Sequence, residues 1–190
     1  ATCSSGSITY IEGQGPNGSL SSTSNQIDCS NGSSSCKMII TNGSNNALYF
    51  ISCHDAACSD KTYVLVDGGN FCNLTNCSTS RVISSYASLS CSAGSSDCKI
   101  TYVDTNGSLY FADCDSESCN TGTISILEGT GCGLTNCTNS TTSVTFSSMD
   151  CSFGSTDCKI AYYIAGTLNF ADCSNATCSS GTVSYLDGNT

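Results

Sequence analysis

The sequence predicts an all-β protein made of tandem four-stranded antiparallel meanders, each of about 60 residues and locally stapled by disulfides. Three observations carry this reading. Cysteines recur in register along the chain, short runs of alternating or β-branched residues lie between them, and no window shows a helical stripe. The register is plain when the cysteines are aligned. Cys29, Cys91 and Cys151 correspond, as do Cys36, Cys98 and Cys158, then Cys53, Cys114 and Cys173, then Cys58, Cys119 and Cys178. Cys72 matches Cys132 and Cys77 matches Cys137, with all offsets between 59 and 62 residues.

The chain opens on ATCSSGSITYIEGQ, which matches ATCSSGTVSYLDGN near its end almost residue for residue. Residues 1–14 are therefore expected to form the last strand of an incomplete repeat, followed by repeats at 15–69, 70–130 and 131–190. The first full copy is shortened: it has GPNGSL where the others have CNLTNC or CGLTNC. Within the third copy, period two and β-branched content place strands at 143–149, 159–164, 168–172 and 182–187. The second strand recurs at 99–103 and 37–41, and the third at 109–113 and 48–52. The fourth recurs at 123–128, 62–67 and 7–12. Between strands two and three, DTNGS from Asp104 and NGSNN from Asn42 carry Asn-Gly, which supports the positive φ angles of a tight hairpin. In the third copy this loop shrinks to Ala165, Gly166 and Thr167.

Every other connection is bracketed by cysteines, so local staples are expected: Cys29–Cys36, Cys53–Cys58, Cys72–Cys77, Cys91–Cys98, Cys114–Cys119, Cys132–Cys137, Cys151–Cys158 and Cys173–Cys178. Cys3 is left over. It either bridges to another molecule or belongs with residues upstream, and the opening strand without its three companions favours the second.

Composition explains why staples are needed. Hydrophobic residues make up 38% of the chain, charged residues 11%, serine and threonine together approach a third, and there is no tryptophan. Such a chain cannot build one thick core, and 17 cysteines in 190 residues mark a disulfide scaffold of an oxidising, extracellular or cell-surface setting. Zinc is a poor alternative, because the spacings are Cys-x4-Cys and Cys-x6-Cys and His54 is the only histidine. A net charge of −10 argues against nucleic acid and anionic membranes as partners. No apolar run nears the roughly 18 residues that span a bilayer, so no membrane insertion is expected.

Nine Asn-x-Ser/Thr sequons occur, at Asn17, Asn31, Asn42, Asn73, Asn76, Asn106, Asn136, Asn139 and Asn175. About five of the 16 asparagines would qualify by chance, but all nine fall in expected loops. Covalent N-glycans there would cover a surface short of charge and hinder edge-to-edge aggregation.

Candidates for chemistry are few. His54 and Asp55 form the only His/Asp pair, in one staple loop of one copy, where a loop variant is the simpler reading than a hydrolase site. Glu12, Asp67, Glu128 and Asp187 end the fourth strand of each copy and could flank a calcium ion or form a glycosidase-type pair. Their repetition at equivalent positions argues for a structural role, since an active site needs unlike residues converging once. Asp104 and Asn106 are a fragment of a calcium loop that reads as a turn. Lys37, Lys99 and Lys159 follow a cysteine at the head of the second strand and read as surface charge balance. Tyr49, Tyr110, Tyr162 and Tyr185 could stack on sugars, but strand packing is the commoner role. No catalytic residue, metal ligand or cofactor site emerges, and the chain is not expected to be an enzyme.

The stretch DCKIAYY…GTLNFADCSNATCSSGTVSYLDG resembles the tandem repeats of secreted β-propeller proteins, most clearly over 99–128 and 159–187. The resemblance covers all three copies and the opening strand, and implies four-stranded blades around an axis. The sequence departs from it by adding cysteines before strand one and between strands one and two, and by holding few blades. Sialidases share that architecture but bind their acid with an arginine cluster, whereas Arg81 is the only arginine here and tryptophan-bearing boxes are missing. Three blades and one strand do not close a ring, so the expected partners are copies of the chain or further repeats of the same polypeptide. The leading expectation is a structural repeat glycoprotein of a filament or cell-surface assembly joined head to tail. The alternative is a lectin-like or adhesin propeller that binds through blade loops.

Overall fold

The computed structural model describes residues 22–32, 34–91, 96–140, 143–152 and 156–187. Cys3, Glu12, Asn17 and the expected opening strand at 7–12 lie outside the described residues.

The described chain forms twelve strands and no helix. They are β1 (Ser22–Asp28), β2 (Lys37–Asn42), β3 (Ala47–Cys53), β4 (Lys61–Asp67), β5 (Ile83–Ser90), β6 (Lys99–Asp104), β7 (Leu109–Cys114), β8 (Gly122–Glu128), β9 (Val144–Asp150), β10 (Lys159–Ile164), β11 (Thr167–Cys173) and β12 (Gly181–Asp187). Each consecutive four pair as an antiparallel meander, giving three sheets in the orders β1-β2-β3-β4, β5-β6-β7-β8 and β9-β10-β11-β12. The period-two pattern places these strands to within a residue at either end where it was read. The one consequential difference is Asn42. It closes β2 instead of lying in the loop, is only 5% exposed, and its Oδ1 accepts the backbone N–H of Ser44. A glycan on this buried amide would have no room, so Asn42 does not belong with the loop sequons.

Eight disulfides tie neighbouring residues: Cys29–Cys36, Cys53–Cys58, Cys72–Cys77, Cys91–Cys98, Cys114–Cys119, Cys132–Cys137, Cys151–Cys158 and Cys173–Cys178. Three closing geometries repeat. The strand-one to strand-two staples hold Cα atoms 4.1–4.2 Å apart, the strand-three to strand-four staples 4.7–4.8 Å, and the two linker staples 6.1 and 6.4 Å. Equivalent spacings thus make equivalent loops, down to the left-handed backbone of Cys58, Cys119 and Cys178.

The sheets pack face on face, with the first strands β1, β5 and β9 side by side. Ile39, Leu48, Phe50 and Val66 of the first sheet meet Ile100, Tyr102, Tyr110, Ala112 and Ile124 of the second in one apolar layer. Val103, Leu109, Phe111 and Leu127 on the other face of the second sheet meet Ile160, Tyr162, Ala171 and Val183 of the third in the next. Because side chains alternate along a strand, one face of each sheet always looks forward to the following sheet and the other looks back. The linkers repeat as well. Thr75 pairs in parallel with Thr123, and Thr135 with Thr182, so each linker lays a short strand along the outer edge of the sheet it leads into. Leu74 and Leu134 are buried there, and Asn76 and Asn136, both at φ 66°, donate from Nδ2 to the carbonyls of Ile124 and Val183.

Candidate functional site: the sheet-on-sheet interface

The polar residues that recur from copy to copy converge on the seams between sheets. Two kinds of polar contact cross or line each seam.

The first kind joins a carboxylate at the end of a fourth strand to a tyrosine on the second strand of the next sheet. Asp67 Oδ2 accepts the Tyr102 hydroxyl at 2.5 Å, and Glu128 Oε1 accepts the Tyr162 hydroxyl. All four residues are buried. Each acid also anchors the linker that follows it: the N–H of Ser78 donates to Asp67 at 2.7 Å, and the N–H of Thr138 to Glu128 at 2.6 Å. The first seam adds Arg81, which is ion-paired to Asp67 and lies 4.0 Å over the Tyr110 ring, itself stacked on Tyr102 at 5.3 Å. Burial pushes the Tyr102 phenol far above its ordinary value, with the Asp67 charge reinforcing it. Burial, then the bond to Glu128, does the same to Tyr162. These phenols are held as neutral donors. Of the acids read as recurring structural features, Asp67 and Glu128 therefore act between sheets.

The second kind involves the lysines, and here the sequence reading is corrected. Lys37 and Lys99 are not surface charges; both are fully buried under the following sheet. Burial of a cation demands a partner. Lys99 pairs with Asp97 and Asp113 of its own sheet, and Lys159 with the equivalent Asp157 and Asp172. In the first copy both acidic positions are serines, Ser35 and Ser52. Lys37 donates to Ser52 Oγ at 2.7 Å, and its counter-ion is Glu117, 3.2 Å away in the staple loop of the second sheet. At the matching place in the third sheet stands Ala176. The acid thus comes from the next sheet only where the home sheet lacks it.

Glu117→Gln is accordingly expected to destabilise the chain by about 1–3 kcal/mol, less than a wholly buried pair because the Glu117 side chain is 55% exposed. Adding Ser52→Asp, which copies Asp113, should restore most of the loss. Denaturant midpoints of the two variants test this, and a double variant no better than the single would sink the compensation.

The remaining candidates are local. His54 is exposed, with Thr62 Oγ1 3.4 Å from its Nε2, and Asp55 turns away to cap its own loop. Asp55 accepts the Ser59 hydroxyl and the N–H groups of Ala57, Ser59 and Asp60, which lower its pKa to about 2, the Ser59 hydroxyl contributing most. Asp104 accepts the N–H groups of Asn106 and Ser108 at 3.0 and 2.9 Å and closes a turn. Tyr49, Tyr110 and Tyr162 are packed inside, while Tyr185 is exposed. Asn31, Asn73, Asn76, Asn106, Asn136 and Asn139 are exposed and Asn175 is half-buried. Among the described residues no group of three or more His, Cys, Asp or Glu side chains could hold a metal ion, and no helix is long and apolar enough to cross a membrane.

The tyrosine–carboxylate pairing was missed in the sequence, although its signal was there. Tyrosine stands at 102 and 162, one sheet after Asp67 and Glu128, and isoleucine at the matching position 40. No protein-family model matches this chain, and no curated protein matches it either.

Proposed function

We propose that this protein is an extracellular structural repeat glycoprotein, a building unit of a filament or cell-surface assembly in which propeller-blade-type sheets stack head to tail. The observation that carries this reading is the repetition of one seam. The forward faces of the first and second sheets are covered by the sheet that follows, and the forward face of the third displays the same kinds of residue in the open. Val66 and Leu127 are 0% exposed, whereas the equivalent Leu186 is 57% exposed. Val103 is 1% exposed, whereas the equivalent Tyr163 is 43% exposed. An apolar face of this sort on a thin, stapled scaffold is an association surface.

Eight disulfides support an oxidising setting. The exposed sequons lie in loops, where glycans would leave the stacking face clear. Electron microscopy of the native, oxidised material tests the proposal. Filaments are expected. Discrete closed rings that bind glycans would favour a lectin-like module, and unassembled single particles would count against stacking.

A further inference from the structure

We propose that the open face of the third sheet docks a β-sheet of the third-repeat kind, carrying tyrosine at the position of Tyr162 and a neutral residue at the position of Ala176. The inference rests on the stacking reading and identifies which sheet the face accepts.

Two polar features of this face set the choice. Asp187 ends β12 where Asp67 ends β4 and Glu128 ends β8, but it is exposed while they are buried. In both formed seams the terminal acid receives a tyrosine hydroxyl from the second strand of the following sheet. A docking sheet with tyrosine there would satisfy Asp187 in the same way. A sheet like the first, with Ile40 at that position, would desolvate Asp187 without supplying the tyrosine donor, which is a penalty against the wrong partner.

The second feature is Lys159. It already holds Asp157 and Asp172, and it is 32% exposed where Lys37 and Lys99 are covered. It resembles Lys99, whose following sheet has Ala176 at the position matching Glu117, and differs from Lys37, which needs Glu117. A partner with a glutamate at that place would bring a third carboxylate to one ammonium. Among the three repeats only the third has both tyrosine and a neutral residue. The apolar part of the face agrees: Leu168 and Phe170 are half-open, while Leu109 and Phe111, their equivalents, are sealed by the third sheet itself.

A third contact follows the same pattern. The last residue of β1, Asp28, accepts the N–H of Cys91 at 2.6 Å, and that of β5, Ser90, accepts the N–H of Cys151 at 3.4 Å. Asp150 ends β9 with Oδ2 accepting the Ser152 hydroxyl, two residues on, a bond it can exchange for such a donor.

The test appends one more repeat to the full chain after Thr190, as a copy of residues 131–190, 70–130 or 15–69. Amide exchange of β12 is read in chains shown to be monomeric by sedimentation. The 131–190 copy is expected to slow β12 exchange about tenfold or more, the 70–130 copy less, and the 15–69 copy not at all. In the first extended chain, Asp187→Asn, or phenylalanine for the tyrosine copied from Tyr162, should remove most of that protection. Equal protection by all three copies would overturn the proposal. So would a 131–190 copy that fails to order on this face, because the same sequence already orders against Leu127. Filament failure with β12 protection intact would sink only the assembly reading, and filaments without protection would sink only this inference.

Discussion

Asp67→Ala is expected to cost about 3–5 kcal/mol and to loosen the seam between the first and second sheets ahead of the rest of the chain. Asp67 is buried and receives three donors from three places: the Tyr102 hydroxyl on β6, the Arg81 guanidinium and the Ser78 N–H of the linker. Removing the carboxylate leaves a guanidinium whose side chain is 13% exposed with no counter-ion among these contacts, and a buried phenol without an acceptor. Tyr102→Phe is the gentler control. It removes one donor and leaves Asp67 bonded to Arg81 and Ser78, for a cost of about 1–2 kcal/mol. Denaturant midpoints combined with amide exchange in β6 measure both. An Asp67→Ala change below about 1 kcal/mol would show that the seam is held by its apolar layer alone.

The same contacts make the stack sensitive to alkali. The phenols of Tyr102 and Tyr162 are raised by burial above the ordinary tyrosine value of about 10. In the unfolded chain they ionise near that value, while in the folded chain they stay protonated. The unfolded state therefore binds fewer protons above it, and stability falls as pH rises through about 10, whereas below it the contribution is fully present. Tyr102→Phe and Tyr162→Phe should each flatten this part of the stability profile.

The fold was legible because its signals are local. Period two marks KIAYYI as one strand, and the interval from Cys173 to Cys178 closes one loop, whatever lies elsewhere. The seams were less legible because their partners sit a whole sheet apart: 35 residues for Asp67 and Tyr102, 80 for Lys37 and Glu117. A lysine after a cysteine reads as surface until a second sheet is laid over it. What could have found it is exchange between copies. Serines replace both acids near Lys37, and a glutamate enters the Cys114–Cys119 staple loop of the following sheet. Asn42 was misplaced for a simpler reason. Asn-Gly marked a hairpin, and the turn begins one residue later, at the paired edge where Asn42 faces Ala47.

Full reduction should abolish the sheets at ambient temperature, and partial reduction should proceed in an order set by burial. Each staple closes a loop of five or seven residues, worth roughly 2–2.4 kcal/mol in the chain-entropy model. Even heavily discounted for non-additivity, eight of them are comparable to the whole stability of a typical domain, about 5–15 kcal/mol. The apolar layers between sheets are only one side chain deep on each face, so little remains once the staples open. Cys29–Cys36, Cys72–Cys77 and Cys132–Cys137 are at least partly open to solvent, while both cysteines of the other five staples are buried. Under mild reductant, alkylation and peptide mapping should label those three pairs first, with β-sheet circular dichroism largely retained. Of the buried pairs, the four in the layers between sheets, Cys91–Cys98, Cys114–Cys119, Cys151–Cys158 and Cys173–Cys178, should then be lost together as the seams open, since their sulfurs become reachable only when neighbouring sheets part. Labelling of all eight pairs at one rate would mean that the sheets separate freely. In that event the tyrosine–carboxylate and lysine–carboxylate contacts would not be holding the stack shut.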